Sequence, residues 1–323
     1  MCGIAGGWHQ GGFSSEVIDS ALDKIRHRGP DDQGSHVEDH MFIGMRRLSI
    51  IDLAGGHQPI YNEKKDVCVV FNGEIYNYLE IIPDLKSKGH QFRTESDTEV
   101  LVHLYEQYGV QMVNKLRGMF AFAIWDSVKK IFFLARDRFG KKPLFYHQPK
   151  SGGFIFASEI KALKPLIAHL GEGFRVSNQS IYNYLSLLVV PQPQTIFEDV
   201  FALPPGTCAT FSDQGLAIRK YWEMPLCEKS RMPYEEILVS VRELISECVK
   251  IRLRSDVPLG VFLSGGVDSS IIAYEAARVS REPLHSFTIS MDDAQFDESP
   301  VARLTAERLG IKNTVLPLKV DPL

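Results

Sequence analysis

Two periodicities divide this chain. Over residues 1–212 the apolar positions fall in short runs: MFIGMRRLSI (41–50), VCVVFNG (67–73), FAFAIWD (120–126) and KIFFLARD (130–137). Runs of that length, rich in β-branched and aromatic residues, predict strands. Ser127, Val128 and Lys129 separate the last two and predict a hairpin. PLFYHQP and GFIFASE predict a second hairpin across Lys150, Ser151 and Gly152. Helical spacing is rarer: Val17, Ile18, Ala21, Leu22 and Ile25 mark a helix over 16–26, and Val100, Leu101 and Leu104 another over 98–108. Many neighbouring strands and few helices predict stacked antiparallel sheets with helices outside, an α+β, layered αββα arrangement.

The pattern then changes. Pro204, Pro205 and Gly206 precede a short strand, CATF, and the polar stretch SDQGLAIRKYWEMP reads as a connector. A domain over 1–212, a linker over 213–233 and a second domain over 234–323 are expected. In the last, Ile237, Val241, Leu244, Ile245 and Val249 stripe a helix running to about Arg254. Strand (GVFL), glycine turn (SGG), helix (267–280), strand (LHSFTIS), helix (299–309) and strand (NTVLPL) follow. That alternation predicts an α/β, doubly wound parallel sheet. Three strands are few for a class whose sheets need helices on both faces, so this domain is expected to be cut short.

Charge and cysteine usage narrow the function classes. Thirty-six basic against 40 acidic residues give a net charge of −4, which argues against a nucleic-acid surface. No apolar run reaches membrane-spanning length, and no basic-then-apolar start marks a signal peptide. Cys2, Cys68, Cys208, Cys227 and Cys248 form no C-x-x-C pair, so neither a zinc site nor a disulfide framework is expected. Free thiols fit a cytoplasmic protein.

Two stretches carry candidate chemistry. In MCGIAGG, Cys2 stands directly behind the initiator. By position alone this is a frayed start. With Met1 removed, however, one residue carries both a thiol and an α-amine of pKa about 7.7–8.0, which can take the thiol's proton. In LSGGVDSS (263–270), two glycines between a strand and a helix expose backbone N–H groups, which the helix dipole turns into an anion site. The loop holds no lysine and is no Walker A motif, so it suits a pyrophosphate, with Asp268 a magnesium ligand.

The strings MCGI, RHRGPD (26–31), MRRLSIID (45–52), NGEIYN (72–77), ESDTEV (95–100), GMFAFAIWD (118–126) and LARDRFGKKPLF (134–145) resemble the class II glutamine amidotransferases, a branch of the N-terminal nucleophile hydrolases. LSGGVDSS, HSFTI and FDESPVARLTAERLG resemble the ATP-pyrophosphatase domain of asparagine synthetase. Both halves in this order resemble the glutamine-hydrolysing asparagine synthetase family. The resemblance implies that Cys2 attacks the glutamine side-chain amide and that Asn72 and Gly73 form the oxyanion hole. Arg47, Leu48, Ser49, Ile50, Ile51, Glu74 and Asp97 would hold glutamine with them, Arg47 on its α-carboxylate and the two acids near its α-ammonium. Arg28 and Asp31 would brace the loop over the pocket. ATP would meet Leu263, Ser264, Gly265, Gly266, Asp268, Ser269 and Ile289, with Mg2+ on Asp268, and aspartate would be activated as an acyl-adenylate for ammonia carried inside the protein. Dimers are also implied.

Each residue alone has a plainer meaning. Arg46-Arg47 is a solvated pair, Asn72-Gly73 a hairpin turn, and Asp97 a helix N-cap. Together with Cys2, in family order, they favour the catalytic meaning. The family's later G-E-G-x-D-E motif and downstream lysine have no counterpart here. Glutaminase chemistry beside an incomplete synthetase half is therefore expected. EIKAL and FDESP favour the asparagine-synthetase branch over relatives that form β-lactams or lasso-peptide rings. LSGGVDSS argues against phosphoribosyl or glucosamine-phosphate amidotransferases. A non-catalytic remnant that binds glutamine or regulates a paralogue is the alternative of a different class.

Overall fold

The structure, a computed structural model, describes residues 1–226, 229–280 and 282–319. Cys227 lies outside them. Two compact units meet in sequence between Pro225 and Leu226.

The first unit runs β1 (Gly3–Trp8), α1 (Ser15–Asp23), β2 (Asp32–Glu38), β3 (Met41–Arg47), β4 (Ile60–Tyr61), β5 (Val67–Ile75), α2 (Tyr78–Ser87), α3 (Glu99–Tyr108), β6 (Gly118–Asp126), β7 (Ile131–Arg136), β8 (Phe145–His147), β9 (Phe154–Ala157), α4 (Ile160–His169), α5 (Asn178–Leu187), β10 (Val200–Ala202), β11 (Thr207–Ser212) and β12 (Gly215–Lys220). One six-stranded sheet has the order β10-β8-β9-β1-β3-β2 and the other β12-β11-β7-β6-β5-β4. Neighbouring strands are antiparallel throughout both.

Side-chain alternation builds the layers, because successive residues of a strand face opposite ways. Ile4, Ile43, Met45, Val70, Ala121, Ala123, Phe132, Phe154 and Phe156 face inward and form the core between the sheets. Their neighbours Val69, Phe71, Phe122, Ile124 and Phe133 face outward under α3 residues Val100, Leu101 and Leu104. Ala5, Phe42, Ile155 and Ala157 face the opposite way, under α1 and α4 through Ile18, Leu22, Leu163 and Leu166. Strands clad on both faces explain why the sequence runs are continuously apolar instead of alternating. The result is the expected αββα sandwich.

Several elements differ from their sequence patterns. The strand in MFIGMRRLSI stops at Arg47, and Leu48–Ile51 leave the sheet. Asn72 and Gly73 make no turn; they lie inside β5, paired with Ala121 and Phe120. The linker expected over 213–233 opens with a strand: β12 hairpins onto β11, Ser212 opposite Gly215. Its outward residues are exposed, as an edge strand's polar pattern allows, and that polarity disguised it.

The second unit contains α6 (Tyr234–Arg252), β13 (Gly260–Phe262), α7 (Val267–Val279), β14 (His285–Met291), α8 (Ser299–Leu309) and β15 (Lys312–Leu318). The strands are parallel in the order β13-β14-β15. This sequential order is compatible with the partial doubly wound sheet expected, and no reversal of strand order falls among the described residues. Right-handed crossovers that advance in one direction put both helices on one face. Ala273 of α7 and Ala302 and Ala306 of α8 accordingly share one cluster with Leu263. Doubly wound topology needs a strand order that reverses. The other face carries Phe262, Ile289, Leu316 and Leu318, all exposed.

Candidate active site

A cavity of about 130 Å³ opens in the first unit at the N-terminal end of β1. Met1, Cys2, Arg47, Leu48, Ile50, Ile51, Asn72, Gly73, Glu74 and Asp97 line it. Of the residues expected to meet glutamine, Ser49 alone is not in the wall; its N–H donates to Asp31 Oδ2 at 2.9 Å.

Cys2 is held, not frayed. Its carbonyl accepts from Arg28 Nε at 2.8 Å, and Arg28 Nη1 donates to Glu159 Oε1 at 2.9 Å. Ile4 exchanges hydrogen bonds with Ser158, N–H to Oγ at 3.0 Å and carbonyl to N–H at 2.8 Å. The Leu48 N–H donates to Cys2 Sγ at 3.4 Å. Burial pushes the thiol up from its ordinary value, against the lowering effects of the Leu48 amide and the nearby α-ammonium. The thiol therefore needs a base. Burial, first of all, lowers the Met1 α-ammonium that lines the cavity.

β5 supplies the donors. Phe71 sends its N–H to Gln58 Oε1 at 2.7 Å and Ile75 sends its N–H to Asp97 Oδ2 at 2.8 Å. Gly73 lies midway between them, and amides two apart on a strand point the same way. Its N–H therefore leaves the β5 edge toward the cavity that Gly73 lines. Asn72 is fully buried, and neither its amide nitrogen nor its oxygen has a hydrogen-bond partner. A buried orphaned amide costs about 1–3 kcal/mol, and at the wall of a cavity it is free to bond whatever enters.

Glu74 and Asp97 form an acidic pair. Burial, and then the charge of Asp97, push the Glu74 carboxyl up to about 8. Burial likewise pushes Asp97 up, against the Ile75 amide and the Arg47 charge. Two poorly solvated carboxyls make a seat for a ligand's cation. The N-cap meaning of Asp97 does not hold: Thr98 occupies that place, and the Asp97 carboxylate serves β5. Arg47 is 5% exposed and folds the 48–53 loop, donating from Nη2 to the carbonyls of Ile51 (2.9 Å) and Asp52 (2.7 Å) and from Nη1 to that of Leu53 (3.3 Å). So it shapes the wall as well as charging it.

Sequence reasoning missed Lys142, a buried wall residue whose ammonium burial lowers, against the raising effect of Glu74. Its N–H is set by Asp137 Oδ2 at 3.0 Å. Adjacent lysines, KK, read as solvated, and nothing local marks one of them as buried. Gln58 was missed too; it ties β5 to α3 by donating to Thr98 Oγ1 at 3.3 Å.

In the second unit, Ser264–Gly266 join β13 to α7. Their donors are in use: Gly266 N–H bonds Ser264 Oγ at 3.1 Å, Ser264 Oγ and Ser269 Oγ lie 2.8 Å apart, and Gly265 N–H donates to Glu298 Oε2 at 3.1 Å. Glu298 thus puts an anion on the loop, the charge this backbone accepts. Leu263 is buried, whereas Asp268 and Ile289 are exposed. No helix among the described residues is long and apolar enough to cross a membrane.

Residues 1–222 match the glutamine amidotransferase domain family and residues 240–323 the asparagine synthase family. The glutamine-hydrolysing asparagine synthetase 1 of Bacillus subtilis is 37% identical over 318 residues, 97% of this chain and 49% of that protein. Asparagine synthetase 3 of the same bacterium is 38% identical over 91% of this chain and 48% of its own length. Asparagine synthetase 2 of Arabidopsis thaliana is 36% identical over 90% and 46%. The chain thus spans about half the length of these curated relatives. Among solved structures, glutamine phosphoribosylpyrophosphate amidotransferase from B. subtilis, complexed with ADP and GMP, aligns at TM-score 0.51 with 17% identity, covering 97% of this chain and 65% of that one, a likeness of fold alone. A held Cys2, an orphaned Asn72 amide and a buried acid pair around one cavity agree with the sequence matches: the chain belongs to the glutamine amidotransferase family and continues into an asparagine synthase segment.

Proposed function

We propose that the first unit hydrolyses glutamine to glutamate and ammonia at Cys2. The observation that carries this reading is the placement of the Cys2 thiol and the unpartnered Asn72 amide on one cavity wall. Once Met1 is removed, the Cys2 α-amine takes the thiol proton and the sulfur attacks the side-chain carbonyl carbon of glutamine. Asn72 Nδ2 and Gly73 N–H donate to the oxyanion as it forms, where such donors are worth about 10²–10³ in rate each. Collapse breaks the C–N bond, the held proton leaves with ammonia, and water hydrolyses the thioester. Glu74 and Asp97 hold the α-ammonium, and Arg47 charges the carboxylate end.

In the complete protein, the second unit would spend ATP to activate aspartate for that ammonia and form asparagine. The Ser264–Gly266 loop fits phosphate through its backbone donors, Glu298 yielding the Gly265 amide. The exposed Asp268 carboxylate would hold Mg2+, which needs only one or two protein carboxylates. ATP bound with Mg2+ supplies a leaving pyrophosphate. The free Cys2 thiol suits a reducing cytoplasm.

Ammonia release from glutamine, measured without ATP for the chain and for Cys2→Ala, tests the first step. Release that vanishes in Cys2→Ala supports it. No release from a chain shown by intact mass to lack Met1 would sink it.

A further inference from the structure

We propose that Glu63, His90, His103 and Glu106 form a binding site for one divalent metal ion of the zinc class, separate from the cavity at Cys2. One donor atom from each lies within 4.8 Å of all the others. The segment between β4 and β5 brings Glu63, the segment between α2 and α3 brings His90, and α3 brings His103 and Glu106 one turn apart.

The histidine–carboxylate spacings are close to those of a coordination shell, Glu63 facing His90 through Oε1 and His103 through Oε2. His90 Nδ1 lies 3.6 Å from Glu63 Oε1 and 3.7 Å from Glu106 Oε2. His103 Nδ1 lies 3.6 Å from Glu63 Oε2 and 3.5 Å from Glu106 Oε2. These distances exceed the 2.7–3.2 Å of a good hydrogen bond. A tetrahedron with zinc bonds of about 2.0–2.2 Å has edges of about 3.3–3.6 Å. His103 has no exposed surface, yet neither of its ring nitrogens makes a hydrogen bond. A buried imidazole that meets Glu63, Glu99 and Glu106 only through ion-pair contacts of 3.5–3.7 Å is placed where a metal ion can take the place of its proton.

The surroundings fit. Glu99 Oε1 stands 3.7 Å from His103 Nε2, the ring nitrogen opposite the cluster, an ion-pair contact that would have to tighten on metal binding to become the carboxylate–histidine hydrogen bond that orients metal-bound imidazoles. Glu99 itself is fixed by the Arg93 and Thr94 amides at 2.8 and 2.7 Å. Glu106 Oε1 accepts from Asn62 Nδ2 at 2.9 Å, leaving Oε2 for the ion. Two imidazoles with two carboxylates suit zinc better than calcium or magnesium, which prefer all-oxygen shells. The ion would staple two connecting segments to α3, just beyond the Asp97 and Thr98 that line the cavity.

The test titrates chelator-treated full chain with zinc sulfate, reading bound metal by mass spectrometry and thermal stability by melting. One zinc per chain and a raised Tm are expected, retained in Cys2→Ala. Even outer partners of metal ligands are worth about 10–100-fold in affinity, so His103→Gln should weaken zinc binding on the order of 100-fold or more. His90→Gln and Glu106→Gln, nearer the surface, should do the same while keeping the metal-free melt, which separates lost ligation from lost folding. The proposal is overturned if wild type retains no zinc, if binding survives in all three variants, or if Cys2→Ala abolishes it.

Discussion

Asn72→Leu sets stability against activity. The wild-type side chain is fully buried with both polar atoms unpartnered. Such a group costs about 1–3 kcal/mol relative to its hydrated state, and leucine fills nearly the same space without the penalty. The first unit should therefore gain stability on the order of 1–3 kcal/mol. For a domain of its size, about 2–4 °C of Tm accompany each kcal/mol, so a rise of at least roughly 2 °C is expected. The same substitution removes the proposed oxyanion donor, so kcat should fall about 10²–10³-fold. KM should change little, because the donor acts on charge that exists only past the ground state. Calorimetric melting and a coupled glutamate assay on one preparation read both effects. A lowered Tm would refute the energetic argument. Retained kcat would refute the assignment of Asn72 as a donor.

Other perturbations probe the rest of the cavity. The Glu74 and Asp97 carboxyls are raised by burial, so the free protein holds protons there at neutral pH that an ammonium ligand must displace. Glutamine affinity of Cys2→Ala, measured by calorimetry, should therefore strengthen as pH rises toward about 8; a flat or falling profile contradicts the pairing. The same raised values stabilise the unliganded fold below the ordinary carboxylate range, and that stability is lost as pH rises through them. Asp97→Asn keeps an acceptor for the Ile75 amide but loses the charge, and should weaken glutamine binding about tenfold or more with the melt preserved. In Gly73→Ala the new Cβ would collide with the Met119 carbonyl oxygen and reach 2.8 Å from the Phe120 Cα, so β5 and β6 must separate. A loss of about 1–3 kcal/mol in urea unfolding is expected, and an unchanged midpoint would show that the strands yield freely.

The sandwich was legible because strands buried on both faces leave long apolar runs, and β5, β6 and β7 each announce themselves that way. Cys2, Asn72, Gly73 and Asp97 were legible through their motif strings. What they do locally was not: Asn72-Gly73 has the composition of a turn, and only pairing with β6 shows that it is strand. β12 hid because GLAIRK faces solvent at a sheet edge. Lys142 hid because burial depends on contacts that its neighbours in sequence do not make. The histidine–glutamate cluster is spread from position 63 to 106, beyond any spacing rule, and cysteine counting pointed away from metal.

β1 has a consequence for the order of events during synthesis. It pairs with β3, Gly3 opposite Arg46, and with β9, Ala5 opposite Ala157, and Ile4 is clasped by Ser158. The first residues made are thus completed by residues made much later. At about 5–20 residues per second, Ser158 follows Ile4 by roughly 8–30 s, and such distant pairings are slow to form even then. Through that interval the nascent thiol has no pocket wall behind it, and Asn72 and Gly73 are not yet held beside it in β5. On the reading proposed above, hydrolysis starts only with closure of the sandwich, so a half-made chain does not consume glutamine.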